Sequence, residues 1–146
     1  MSDDKRRILG IDPGTKRIGL ALSDDMQWTA RPFEVWPSKG TDADVAHVFE
    51  VVRANEVGEI VVGVPYRLDG TPSRSTEKAL AFVAALRAAA PEGMPVTERD
   101  EALTTWAAEE RLKERGMLPR DRRKLIDAFA AAVILQELLD ERDGAS

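Results

Sequence analysis

Arg7-Ile-Leu-Gly-Ile-Asp12-Pro-Gly-Thr-Lys-Arg17-Ile-Gly-Leu-Ala-Leu-Ser23 is the stretch that decides the fold. Two short apolar runs, Arg7 to Asp12 and Arg17 to Ser23, flank Pro13-Gly14, whose turn chemistry stops the first run. The second run follows after so few residues that the two are expected to pair as a hairpin. Trp28 to Trp36 alternates less cleanly and contains Pro32, which has no N–H to give a sheet, so it reads as an edge strand.

Beyond Trp36 the period changes. Val45, Val48, Phe49 and Val52 fall on one face of a helix, with Thr41 and Asp44 in capping-box spacing before them. Glu59-Ile-Val-Val-Gly-Val64 is an apolar β-branched run of the kind found in parallel strands buried on both faces. Tyr66 to Thr76 is a polar loop, and Ala79, Phe82, Val83 and Leu86 mark a second helix. Met94 to Asp100 is a further strand. Thr104 to Arg115 is a helix stopped by Gly116 and Pro119, and a last helix starts between Asp121 and Asp127 and ends near Glu141. The order β-β-β-α-β-α-β-α-α implies an α/β fold with one mixed sheet and helices packed on it.

The chain has 146 residues, which suits a single domain over 1–146, with flexible ends expected at 1–5 and 142–146. There is no cysteine, which excludes disulfides, thiolate metal sites and a cysteine nucleophile. His47 is the one histidine and lies opposite the apolar stripe of its helix, where a solvated surface role is expected. No apolar run approaches the roughly 20 residues that span a bilayer, and nothing resembles a signal peptide. A cytoplasmic protein without a membrane partner is expected, as monomer or homodimer.

Net charge is −5, which by itself argues against a nucleic-acid binder. The charge is strongly polarised, however. Thr97 to Glu110 holds five acids against Arg99, whereas Arg111 to Lys124 holds seven bases against Glu114 and Asp121. Three places could carry chemistry. Asp12 ends a strand; it is either a turn residue or a ligand beside Gly14 and backbone amides that can meet a phosphate. Asp127 shares a helical stripe with Ala130, Ala131, Ile134 and Leu138, so it faces protein, unless the helix starts at Ala128 and Asp127 is its N-cap. Glu98-Arg-Asp-Glu101 sits between a strand and a helix, and its acids are either solvated or part of a site at the strand end. Gathered carboxylates repel unless a cation holds them. With oxygen ligands alone, the fitting cation is Mg2+ or Mn2+, one ion or two. Such ions activate water and stabilise the leaving oxygen in phosphodiester hydrolysis, and the basic run would hold the polyanionic substrate.

The chain resembles the YqgF/RuvX family of small bacterial proteins in the RNase H-like superfamily. Ile8-Leu-Gly-Ile-Asp-Pro-Gly-Thr-Lys-Arg-Ile-Gly19 is similar to the first family motif. Val61-Val-Gly-Val-Pro65 with Asp69-Gly-Thr71 is similar to the central strand and loop. Asp100-Glu-Ala-Leu-Thr-Thr105 and Asp127-Ala-Phe-Ala-Ala-Ala-Val-Ile-Leu135 are similar to the last two motifs. The resemblance implies an RNase H-like fold: a five-stranded mixed sheet, three antiparallel strands then two parallel ones, with helices on both faces. It implies a metal-dependent endonuclease with Asp12, Glu101 and Asp127 as catalytic metal ligands. It also implies a role in maturing the precursor of 16S ribosomal RNA, with branched DNA, the Holliday junction, as the alternative substrate. Lys16, Arg17, Arg120, Arg122, Arg123 and Lys124 are the expected nucleic-acid contacts. Ala102 departs from the family's usual arginine, and Arg99 is the candidate substitute. Two competing readings use parts of the same pattern. An actin-like ATPase or sugar kinase needs a second domain, and a non-enzymatic nucleic-acid-binding module has no need of three carboxylates.

Overall fold

The computed structural model describes residues 6–101, 110, 114 and 119–145, the side chains at 119–125 and 144–145 excepted. Its elements are β1 (Arg7–Pro13), β2 (Arg17–Ser23), β3 (Ala30–Pro37), α1 (Thr41–Ala54), β4 (Val57–Val64), α2 (Arg74–Ala89), β5 (Val96–Asp100) and α3 (Pro119–Ala145). They form one five-stranded sheet of order β3-β2-β1-β4-β5. The first three strands pair antiparallel, and β1, β4 and β5 run parallel. The expected hairpin is present, with Asp12 opposite Gly19 and Pro13 opposite Ile18. The Gly14 amide donates to the Arg17 carbonyl at 2.9 Å to close its turn. Pro32 lies on the edge strand beside an irregularity in the β2–β3 register, where a missing N–H costs little.

Side chains alternate across the sheet with a period of two, and this alternation separates two cores. Leu9 and Ile11 pack with Val48 and Phe49 of α1 and Phe82 and Leu86 of α2. Ile8, Ala21 and Val61 face the other way, against Ala131, Ile134 and Leu135 of α3. Helices therefore cover both faces. α3 approaches the sheet closely because glycines underlie it. A Cβ on Gly10 would stand 2.9 Å from the Ala131 carbonyl oxygen. One on Gly19 would collide with the backbone of Asp127, and one on Gly63 with the side chains of Ile134 and Glu101.

Several local expectations change in the folded chain. α1 begins after Gly40 with no side-chain cap. Asp44 is buried and instead accepts from Trp36 Nε1 at 3.0 Å, Ser38 Oγ at 2.6 Å and the Lys39 amide at 2.8 Å. Burial pushes its pKa up, but these hydrogen bonds outweigh burial and hold it below the usual carboxylate value. The capping box belongs to α2, where Ser73 and Thr76 bond reciprocally. His47 is not a solvated surface residue: its ring stacks on Trp36 with centroids 3.6 Å apart, and Nε2 meets Glu34 at 2.7 Å. The helix face opposite the core stripe meets the end of β3, which a helical wheel does not reveal. α3 runs through 142–145, where a tail was expected, and Arg142 makes a two-point contact with Glu59 there. Residues 1–5, Ala102, Gly116 and, apart from 110 and 114, the expected helix at 104–115 fall outside the described residues.

Candidate active site

Parallel strands end on the same side of a sheet, and sites form beyond their carboxyl ends. Asp12 closes β1, and Glu101 follows directly on β5, its amide reaching the Val64 carbonyl at 3.2 Å. The period of two puts Asp12 on the face of Ile8 and Gly10, which is the α3 face. It puts Glu101 on the same face as Arg99, whose guanidinium reaches Glu141 of α3, while Glu98 turns the other way toward Arg87 of α2 at 3.8 Å. Of Glu98, Asp100 and Glu101, strand alternation leaves Glu101 on the face of Asp12. Gly63 of β4, between the two carboxylates, leaves room for the Glu101 side chain.

Asp127 comes to the same place from the helix. It lies inside α3, eight positions after its start, so it is not an N-cap. Its backbone rests on Gly19, the strand partner of Asp12. Its side chain is 24% exposed and accepts from Arg17 Nε at 3.1 Å. The three carboxylates feel one another. Burial raises the pKa of Asp12, against the hydrogen bond from Glu101 and with the charge of Asp127 adding to the rise. Glu101 is pushed up to about 10 by burial first, then by its hydrogen bond with Asp12 and the charges of Asp12, Asp100 and Asp127. Asp12 and Glu101 therefore share one proton at neutral pH, as closely spaced carboxylates must when no cation separates them.

Among the described residues, no three carboxylate or imidazole groups stand as a ready-made ligand set. The arrangement is a protonated pair with a third carboxylate engaged by an arginine. The donors nevertheless suit a hard divalent ion: all are oxygens, they come from three elements, and burial, with the charge of Asp127 adding to it, raises the pKa of Asp12 and of Glu101.

The remaining candidates fare differently. Arg17 is at the site, bound to Asp127, and the neighbouring Lys16 is exposed in the β1–β2 turn. The side chains of Arg120, Arg122, Arg123 and Lys124 lie outside the described residues. Arg99 is turned toward α3, where its two terminal nitrogens bond Glu141 at 3.2 and 2.5 Å. Sequence reasoning missed Lys78, which with Asp12 and Glu101 lines a cavity of about 520 Å³ beside the pair. A lone lysine on an amphipathic helix carries no signal of its own; its importance comes from what α2 packs beside.

The model of a family described as "RuvX: Holliday junction resolvase" matches residues 6–141. A protein of Anaeromyxobacter sp. (strain Fw109-5) named "Putative pre-16S rRNA nuclease" is 47% identical over 136 residues, 93% of this chain and 98% of that one. One of the same name from Syntrophus aciditrophicus (strain SB) is 46% identical over 134 residues, 92% of this chain and 88% of that one. Among solved structures, T. thermophilus RuvC in complex with a Holliday junction substrate matches with a TM-score of 0.62 at 23% identity, covering 97% of this chain and 98% of that one. The Fowlpox virus resolvase with Holliday junction DNA matches with a TM-score of 0.57 at 12% identity, covering 93% and 98%. These two likenesses show the fold, an RNase H-like sheet with its helices. The family match and the near relatives, both spanning nine-tenths of the sequence, show that the chain belongs to the RuvX family.

Proposed function

We propose that this protein is a metal-dependent endonuclease that cuts phosphodiester bonds in the precursor of 16S ribosomal RNA, with Asp12, Glu101 and Asp127 as its catalytic residues. The observation that carries this reading is the buried, hydrogen-bonded Asp12–Glu101 pair at the carboxyl ends of parallel strands with Asp127 of α3 beside it, where burial raises the pKa of both members of the pair and the charge of Asp127 adds to the rise. The names of the near relatives supply the substrate. Mg2+ or Mn2+ fits the all-oxygen donor set, and such an ion, when bound, supplies water activation and charge neutralisation at the leaving oxygen.

The chain's own residues do the rest. Asp12 at the end of β1 and Glu101 just after β5, with β4 between them, offer two ligand positions on the rigid sheet. Loading the site requires Glu101 to release its proton, so activity rises with pH until that release is complete. Asp127 brings the third oxygen donor from α3, and its partner Arg17 is placed to exchange that carboxylate for a substrate phosphate. Lys16 in the turn, and Arg120, Arg122, Arg123 and Lys124 at the start of α3, extend the phosphate contacts along the strand.

Cleavage of a four-way DNA junction is the second reading, favoured by the family's description. A direct comparison tests the two. Purified protein with Mg2+ or Mn2+ is given labelled RNA spanning the ends of 16S rRNA in its precursor and, separately, a labelled four-way junction. Cutting of the RNA with the junction left intact supports the first reading. Cutting of the junction alone overturns it.

A further inference from the structure

The 520 Å³ cavity beside the carboxylates has a composition that the catalytic triad does not account for. It opens between the β1–β2 turn, the loop before α1 and the first turns of α2. Thr15, Thr41 and Ser75 give it hydroxyl groups, Ile18 and Phe82 an apolar wall, and Lys78 a positive charge. Ser75, Lys78 and Phe82 lie at i, i+3 and i+7 and so share one face of α2. Burial of Phe82 and the neighbouring Ala79 anchors that face in the core. Lys78 itself is exposed and has no ion-pair partner among the described residues. The Ser73–Thr76 cap serves the amides of those two residues, and Lys78 is the cationic side chain among the described residues that line the cavity.

The path of a substrate strand follows from packing. A phosphodiester held at Asp12 and Glu101 must send its next unit away from the carboxylates. On the α3 side, helix and sheet are in contact over Gly19 and Gly63. The cavity is open. Its volume is that of a small-molecule site, and a double helix, whose major groove alone is about 12 Å wide, cannot enter it.

Building on the nuclease reading, we propose that this cavity is a subsite for one unpaired nucleotide adjacent to the scissile phosphate, with Lys78 paired to that nucleotide's own phosphate. Ile18 and Phe82 then face the base, and the hydroxyls face the sugar edge. The substrate must be single-stranded on that side of the cut.

The test uses the full chain and two substitutions on the exposed face of α2: Lys78→Gln, which removes the charge, and Ser75→Trp, which fills the space. The probe is a short fluorescein-labelled single-stranded RNA, compared with the same sequence closed into a hairpin. Binding is read by anisotropy in chelator, so that loading of the metal ligands plays no part. Wild type is expected to bind the single strand more tightly than the hairpin. Lys78→Gln should weaken single-strand binding about tenfold and lower its salt slope by about 0.7. Ser75→Trp should weaken it with an unchanged melting temperature. Single-strand affinities equal to wild type in both variants overturn the subsite. If wild type still cleaves RNA in that case, the nuclease reading stands without it; a wild type that cleaves no nucleic acid removes both.

Discussion

Glu101 holds a proton that an ordinary glutamate releases, and the consequence for stability has a definite sign. In the unfolded chain this proton leaves near 4.5, and in the folded protein near 10. Between those values the native state binds more protons than the unfolded one, so raising the pH favours unfolding. In chelator, the site's contribution is full below about pH 4.5 and is lost as pH rises toward about 10. The slope is at most on the order of 1 kcal/mol per pH unit. Urea melts in chelator at several pH values across this window measure it. Glu101→Gln, which mimics the protonated acid, should flatten the dependence; an undiminished slope would assign it to other groups. At this scale the sequence was only partly informative. Asp12 and Asp127 stand out as lone carboxylates in apolar runs, but Glu101 lies among other acids. It is separated from Glu98 by strand alternation and from Asp100 by one position of register, which composition does not contain. His47 was misplaced for a related reason: its partners, Trp36 and Glu34, lie on another element.

The strands and helices are mostly legible because β1, β2 and β4 read as short apolar runs, whereas α1 and α2 carry apolar residues with a period of 3.6. The order of elements implies one mixed sheet with helices packed on it, and the family resemblance implies its three antiparallel and two parallel strands. What could not be read was how near α3 lies to the sheet, since that distance depends on pairs such as Gly19 and Asp127 that are far apart in the chain. Gly19→Ala therefore makes a sharp prediction. Its methyl group would meet helix backbone, which cannot rotate aside, so α3 must lift and carry Asp127 with it. We expect a loss of about 3 kcal/mol or more in unfolding free energy, together with loss of cleavage. Gly58→Ala is the milder comparison: its Cβ would stand 2.9 Å from the Cβ and Cδ of Arg6, so that residue must shift, but no helix backbone is met and a smaller loss is expected. Chemical denaturation of the two variants checks the contrast, and equal stabilities would mean that the α3 contact is loose. The start of α1 shows the opposite case, where a sequence signal had a different use. Asp44 has capping-box spacing, but its carboxylate ties Trp36, Ser38 and Lys39 together and so shapes the loop beside the cavity.

Over the whole molecule, the net charge of −5 conceals a division of labour. Acids gather at the sheet ends, and bases concentrate in 111–124. If that basic segment follows the substrate, replacing Arg122 and Arg123 with glutamine should weaken RNA binding for all sequences and lower the salt slope by about 1.4 on single-stranded RNA. Anisotropy titrations at several salt concentrations measure this, and an unchanged slope would remove the segment from the interface. Metal binding also reports on the assembled site. An ion at a hundredfold excess over its dissociation constant stabilises the folded state by about 2.7 kcal/mol, on the order of 5–10 °C for a chain of this size. Wild type should gain more than Asp12→Asn, because the variant has lost one ligand while also being relieved of one repelling charge. In the proposed mechanism Asp12, Glu101 and Asp127 act as one catalytic unit. Its most direct test is the rate at which wild type, Asp12→Asn and Asp127→Asn cleave the same labelled precursor RNA in saturating Mg2+, each protein first shown to be folded. We predict a loss of at least about a hundredfold in either variant; wild-type rates in both folded variants would contradict the account.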